Sequence, residues 1–121
     1  MKSREDDERM IHAAHASRFH WGEALECKPE NLARGERQIS RVYTVVGLAE
    51  PALRHAQRCL ALCEANGLGD WDLAYAYEAI ARAYKTAGKE PEAQAYKELA
   101  AETPVIEDDD REHLEQDLDT L

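Results

Sequence analysis

Three arginines are spaced so that they share one side of a helix. Arg34, Arg37 and Arg41 follow one another at three and four positions, and Gln38 adjoins them. Residues at these intervals are neighbours on a helix surface. The planar guanidinium group carries a fork of N–H donors that matches the two oxygens of a carboxylate. The spacing therefore indicates a surface suited to binding an acidic group.

A second polar stripe lies on a later helical segment. Its members recur at three or four positions within an otherwise apolar stretch, and they are Tyr75, Glu78, Arg82 and Lys85. We predict that the two stripes together bind a ligand or partner. The alternative is that both are solvated helix faces, whose arginines pair with Glu30, Glu36 and Glu78.

Three histidines near the N-terminus are a separate group of candidates. His12 and His15 share a helix face and could both reach a metal ion. His20 lies two turns beyond His12, about 12 Å away along the axis, and cannot join the same ion. No HExxH motif accompanies them. We interpret them as packing and surface residues, with metal or small-molecule binding by this histidine face as the alternative.

The cysteines and the remaining motifs favour no catalytic chemistry. His55, Cys59 and Cys63 follow one another at i+4 spacing and could supply soft metal ligands. The two cysteines, however, fall in an apolar stripe, where buried thiols act as small hydrophobic groups. The sequence contains no CxxC pair, no phosphate-binding glycine loop and no GxSxG motif. We therefore expect no metal site, no cofactor and no enzymatic activity.

The periodicity of apolar residues predicts an all-α chain of about six helices in one domain, 1–121. The expected parts are an N-terminal helix at 3–26, a helical hairpin at 29–66, a second hairpin at 70–102 and an acidic C-terminal helix at 105–121. Asp70 and Asp108 are expected to cap the helices that they begin. Trp21 and the stripe of Leu114, Leu118 and Leu121 are expected to cover the ends of the array.

Parts of the first hairpin recur in the second at one constant offset, which we call the repeat offset. The matched pairs are Ser40 and Ala81, Tyr43 and Tyr84, Gly47 and Gly88, and Ala52 and Ala93. A constant offset of this size is typical of stacked supersecondary units. The glycines suit left-handed helix C-caps, and the small residues allow two helices to approach closely. We expect the matched tyrosines and alanines to be buried.

This spacing of small residue, tyrosine, glycine and alanine resembles a tetratricopeptide repeat, over about Asn31 to Ala101. The repeat offset is longer, by about two helical turns, than the family's usual period of about 34 residues. The resemblance implies a right-handed array of antiparallel helical hairpins, a tetratricopeptide-like α-α superhelix. It also implies that the first helix of each hairpin lines a concave groove, where some family members clamp acidic C-terminal peptides. Carried over through the matched residues, both polar stripes fall on that groove.

Charge and composition limit the class of function. The net charge is −10, which argues against nucleic-acid binding. The charge is uneven, because residues 31–60 carry +3 whereas the chain from Glu102 onward carries −8. No apolar run approaches the length of about 18 residues that marks a membrane span, so we expect none. The first ten residues are too acidic for a signal peptide, and three cysteines without such a signal indicate a reduced, cytoplasmic setting.

These observations predict a small cytoplasmic module that presents a basic groove to an acidic protein or peptide. A purely structural homodimer is a further hypothesis, and so is the histidine-face binding protein. We also expect the acidic tail to occupy the groove or lie close to it, in its own chain or in a neighbouring one. There it would compete with an acidic ligand and weaken its binding.

Overall fold

The computed structural model describes residues 4–23 and 28–121, with the side chains of 4–18 and 28–121. These residues form six helices and no strand, as predicted for an all-α chain. Trp21, His20 and Cys27 lie outside the described side chains, and the expectations for them stay predictions. The helices are α1 (Arg4–Glu23), α2 (Pro29–Val45), α3 (Ala49–Ala65), α4 (Asp70–Thr86), α5 (Glu90–Glu102) and α6 (Asp108–Leu118). Within these helices no segment is long and apolar enough to cross a membrane.

Helices α2, α3 and α4 end in the same way, at a glycine with a positive φ. Gly47, Gly67 and Gly88 have φ angles of +83°, +65° and +76°. In each case the residue after the glycine donates its N–H to the carbonyl of the residue five positions before it, over 2.8 to 2.9 Å. This is the Schellman arrangement, which satisfies carbonyl groups left over at a helix end. The predicted left-handed caps at Gly47 and Gly88 are confirmed.

The two aspartates expected to cap helices do not do so. Asp70 is itself the first residue of α4, with a φ of +54°, and the cap position before it makes no side-chain hydrogen bond. Its Oδ1 instead accepts a hydrogen bond from the N–H of Ile106, 3.3 Å away. Asp108 likewise begins α6 without capping it, and α6 spans Asp108–Leu118 rather than 105–121. Val105, which precedes the helix, is buried in the same cluster as Leu114 and Leu118.

Helices α2, α4 and α6 run parallel, with α4 in the middle. The contact pairs between α2 and α4 are Arg34–Asp72, Arg37–Tyr75 and Arg41–Glu78. Between α4 and α6 they include Tyr75–His113 and Arg82–Thr120. In both sets, later residues of one helix contact later residues of the other. This order of contacts requires the two helices of each pair to run in the same direction. In the described part of the chain α4 contacts both α2 and α6, whereas those two do not contact each other.

Helices α3 and α5 lie antiparallel to α2 and α4, and small residues line the contacts between helices. Ala33, Ala76, Cys59 and Cys63 form one buried cluster where α2, α3 and α4 meet. The Ser40 hydroxyl donates a 2.8 Å hydrogen bond to the carbonyl of a residue on α3, Ala52. Such a short link to the main chain requires the close approach that the small residues predict.

The matched positions of the repeat have similar surroundings. Ala52 and Ala93 are buried, as predicted. Tyr43 and Tyr84 are only half-buried, so the prediction of burial was wrong for the rings. Each ring is stacked on a ring of the following helix, with centroids 5.7 Å apart for Tyr43 and His55 and 5.8 Å for Tyr84 and Tyr96. His55 and Tyr96 are themselves separated by the repeat offset, so the two stacked pairs recur at that offset.

Candidate functional site

A cleft of about 610 Å³ lies over α4, between α2 and α6. Helix α2 contributes Arg34, Arg37, Gln38, Arg41 and Val42. Helix α4 forms the floor with Trp71, Tyr75 and Glu78, and α6 adds His113 and Asp117. All of these side chains come from the three parallel helices, so one face of the array makes the whole cleft.

Six of the eight residues predicted to bind a ligand line this cleft. They are Arg34, Arg37, Gln38, Arg41, Tyr75 and Glu78. The other two, Arg82 and Lys85, lie next to it and line a smaller depression of about 380 Å³. Arg41 lines both hollows. The two predicted stripes are therefore brought together on one face, although their members play different parts.

Arg34 is held by a carboxylate of the neighbouring helix. Its Nε and Nη2 donate to the two oxygens of Asp72 at 2.9 and 3.2 Å. This two-point hydrogen bond to Asp72 raises the pKa of Arg34. Because its N–H fork is engaged, Arg34 ties α2 to α4 and has less capacity for a ligand than its neighbours.

The guanidinium groups of Arg37 and Arg41 are less engaged by carboxylates than that of Arg34. The guanidinium carbon of Arg37 lies 4.9 Å from the centroid of the Tyr75 ring, in the geometry of a cation–π contact. No carboxylate of the described residues lies within ion-pair distance of Arg37. Arg41 approaches Glu78 only to 3.9 Å, and its side chain is half-exposed. These two side chains can therefore accept a new carboxylate partner.

Arg82 and Lys85 bind the C-terminal end of α6. Arg82 donates through Nε to Glu78 at 2.6 Å, and through Nη2 to the carbonyl of Asp117 and the hydroxyl of Thr120. Lys85 donates to the carbonyl of Thr120 at 2.9 Å. The last turn of α6 contains no basic residue of its own. The two cations therefore bind carbonyl oxygens at the end of α6 where the helix dipole is negative.

Tyr75 joins the floor of the cleft to α6. Its hydroxyl donates a 2.6 Å hydrogen bond to Asp117 Oδ2. Burial of the ring, followed by this hydrogen bond, raises the pKa of Tyr75, so the phenol stays protonated as a donor. Leu114 and Leu118 are buried against Ala74 in the same cluster. The acidic helix thus covers the end of the second hairpin, as its leucine stripe predicts.

Four lining residues were not predicted: Val42, Trp71, His113 and Asp117. Trp71 could have been found, because it lies one turn before Tyr75 on the same helix face. Nothing in the local pattern places His113 and Asp117, since their position depends on how α6 docks. The leucine stripe indicates which side of α6 faces inward but not which helix it meets.

The histidines are separated in the structure. His12 is exposed, whereas His15 shares a 3.0 Å hydrogen bond between its Nε2 and the Tyr43 hydroxyl. The His15 ring also lies 5.3 Å from that of His55. Burial and the neighbouring His55 lower the pKa of His15. Within the described residues no group of three or more His, Cys, Asp or Glu side chains is arranged to hold a metal ion.

A buried carboxylate lies behind these rings, away from the cleft. Glu36 accepts hydrogen bonds from Arg18 Nε at 3.0 Å and from His55 Nδ1 at 2.7 Å. Glu36 therefore does not neutralise the arginine stripe, contrary to the solvated-face alternative. Glu78, which that alternative also named, does pair with Arg82 and lies 3.9 Å from Arg41. Gly35 beside Glu36 lies under Arg18, and a Cβ added there would come within 3.0 Å of the Arg18 Cδ. Together the contacts of Arg18 with Glu36 and Gly35 attach α1 to the first hairpin.

Cys59 and Cys63 are both buried and free of disulfide bonding. A hydrogen bond with Cys63 and burial of the thiol raise the pKa of Cys59. Both thiols lie in the buried cluster with Ala33 and Ala76, so the structure gives them a packing role, consistent with the sequence interpretation.

No family model, curated protein or solved structure matches this chain.

Proposed function

We propose that this chain is a small cytoplasmic protein-binding or scaffold module of tetratricopeptide type, which presents a basic groove to an acidic partner or peptide. The observation that carries the proposal is the pair Arg37 and Arg41. Both line the cleft, and among the described residues neither has a carboxylate at hydrogen-bonding distance. An acidic side chain in the cleft would supply the missing partner.

The form of the cleft also supports a peptide ligand. Its volume of about 610 Å³ is in the range of sites that hold small ligands, and it continues past Arg41 into the depression beside Arg82 and Lys85. An extended peptide rises about 3.3 Å per residue. A few residues are therefore enough to follow α4 from one hollow to the other.

The array of hairpins gives the groove a rigid frame. Three parallel helices supply its walls and floor, and α2 and α4 end in equivalent glycine turns related by the repeat offset. These features support the proposed array of antiparallel hairpins, to which the resemblance adds a right-handed superhelical sense. A rigid groove orders few groups on binding, which reduces the entropic cost of association.

The test is selection from a random peptide library, followed by affinity measurement with charge-reversal variants. We expect the protein to select acidic peptides whose affinity falls as salt is raised from about 0.02 to 0.15 M. Arg41→Glu should weaken binding of the selected peptide by about tenfold or more, because a charge-assisted contact becomes a repulsion.

Arg54→Glu is the matched control, since Arg54 is exposed on α3 and the change in net charge is the same. It should alter the affinity little. If both reversals weaken binding equally, the effect comes from net charge and not from the cleft. If no acidic sequence is enriched, the proposal is wrong.

A further inference from the structure

Three aromatic rings meet at the end of the cleft where α4 begins. The centroid of the Trp71 ring lies 4.3 Å from that of Tyr75 and 5.6 Å from that of His113. The rings of Tyr75 and His113 are 6.2 Å apart. The angles between the ring planes are 46° to 49°, so the rings form a corner and not a parallel stack.

The rings of this corner remain accessible to a ligand. All three residues line the cleft, and Trp71 and His113 are not fully buried. Tyr75 is mostly buried, but it holds Arg37 over its ring and thus places a cation next to the aromatic corner. A half-exposed tryptophan beside an arginine is a common anchor in protein interfaces.

The charges near the corner leave room for an acidic peptide. The carboxylate of Asp117 accepts a hydrogen bond from the Tyr75 hydroxyl at 2.6 Å and lies 3.4 Å from His113 Nε2. Asp72 is likewise engaged, by Arg34. Arg37 has no carboxylate within ion-pair distance among the described residues, and Arg41 approaches Glu78 only to 3.9 Å, so both guanidinium groups can bind an acidic residue of the ligand.

We propose that this corner selects an aromatic side chain of the bound peptide, one to three residues away from an acidic residue that binds Arg37 and Arg41. The inference rests on the proposed function. The spacing follows from α4, where Arg41 meets Glu78, three positions after Tyr75 and seven after Trp71. At about 1.5 Å per helical residue these separations are about 5 and 10 Å. An extended peptide covers them in about one to three residues.

The experiment uses the full chain with Trp21→Phe, which leaves Trp71 as the sole tryptophan reporter. The probes are three heptapeptides of aspartate and glycine, acetylated and amidated, with phenylalanine, leucine or alanine at the central position. Burial of a phenylalanine ring predicts that this peptide binds about tenfold or more tightly than the alanine peptide. It should also change the fluorescence of Trp71, because its ring contacts the indole.

His113→Ala separates recognition of the ring from stability of the fold. It should reduce affinity for the phenylalanine peptide by about threefold or more relative to its effect on the alanine peptide. A structural defect would weaken binding of both peptides by the same factor. His12→Ala, which removes an exposed histidine of α1, is the control and should change neither affinity.

Each contrary result has a distinct meaning. Equal affinity for the phenylalanine and alanine peptides would overturn the aromatic selectivity and leave the acidic-peptide proposal standing. Equal affinity for phenylalanine and leucine would show an apolar pocket without ring preference, and would also overturn it. Failure of all three peptides to bind, while the library selects other acidic sequences, would refute the inference. Failure of the library as well would refute the proposed function itself.

Discussion

Removing the carboxylate of Glu36 should destabilise the protein more than removing any surface acid. Glu36 and His55 are 5% and 7% exposed, and the Arg18 side chain is about a quarter exposed. Glu36→Ala takes away the acceptor of two charge-assisted hydrogen bonds, of 3.0 and 2.7 Å. It also leaves a buried imidazole N–H and a partly buried guanidinium without their partner.

Breaking a buried pair by removing one member typically costs about 3–5 kcal/mol. For a domain of this size that corresponds to a fall in melting temperature of about 10–20 °C. Thermal and urea unfolding followed by circular dichroism would measure it. The control is Glu64→Ala, which removes an exposed acid of α3 and should change stability by less than about 0.5 kcal/mol.

A double-mutant cycle then assigns the loss to specific contacts. Combining Glu36→Ala with His55→Ala should give a coupling energy of about 1 kcal/mol or more, because both changes remove the same hydrogen bond. If Glu36→Ala costs less than about 1 kcal/mol, or if the two changes are additive, then the buried Glu36–His55 hydrogen bond does not link α2 to α3 as described.

Three further results are expected. Ala93→Leu should cost about 1–3 kcal/mol in thermal melts by overpacking a buried contact, whereas Ala95→Leu on the exposed side of α5 should cost little. Leu118→Ala should lower the free energy of unfolding by about 2–5 kcal/mol and speed hydrogen exchange throughout α6. The exposed control is Gln116→Ala, and equal exchange rates in the two variants would contradict this prediction. The pKa of His15 lies below 6.5 in the folded protein, so the unfolded chain takes up this proton first as the pH falls. The contribution of His15 to the free energy of unfolding should be complete above pH 6.5 and should decrease as the pH drops through the pKa of the folded state. His15→Gln should flatten that slope of stability against pH.

The helices and their ends were predictable where local chemistry alone decides them. Gly47 and Gly88 end helices because only glycine readily adopts the positive φ that the turn requires. The arginine stripe was predictable because its members lie on one helix at fixed intervals. Helix starts were less predictable, since Asp70 has a long-range partner near α6 that competes with capping.

The division of roles within the site was not predictable from the sequence. Arg82 and Arg41 are equivalent in the repeat, yet Arg82 binds the end of α6 whereas Arg41 lines the open cleft. The difference arises because α6 docks on α4, an event that no local pattern encodes. Burial of Glu36 was missed for a similar reason, since its partners come from α1 and α3, far away in sequence.

The acidic helix α6 has two roles in the site. It lines part of the cleft, and it contacts two of the residues that were predicted to bind a ligand. Arg82 and Lys85 contact the last turn of α6, so a ligand that needs them must displace Asp117 and Thr120. Truncation after Thr103 would remove the leucines of α6 from the apolar cluster and expose Ala74 and Ala100, so it would disturb the fold as well as the tail. Thr120→Ala is therefore the cleaner perturbation. It removes one contact with Arg82 and should slightly tighten acidic-peptide binding at low salt if the tail competes.

The most direct test of the binding cleft is chemical-shift mapping by ¹H–¹⁵N NMR with an acidic peptide selected from the library. We expect the largest shifts on α2 and α4 around Arg37, Arg41 and Tyr75, with the Trp71 indole N–H among them. Arg41→Glu should abolish these shifts, and Arg54→Glu should preserve them. Shifts confined to α1, α3 or α5 would contradict this prediction, because the peptide would then bind outside the groove formed by the three parallel helices.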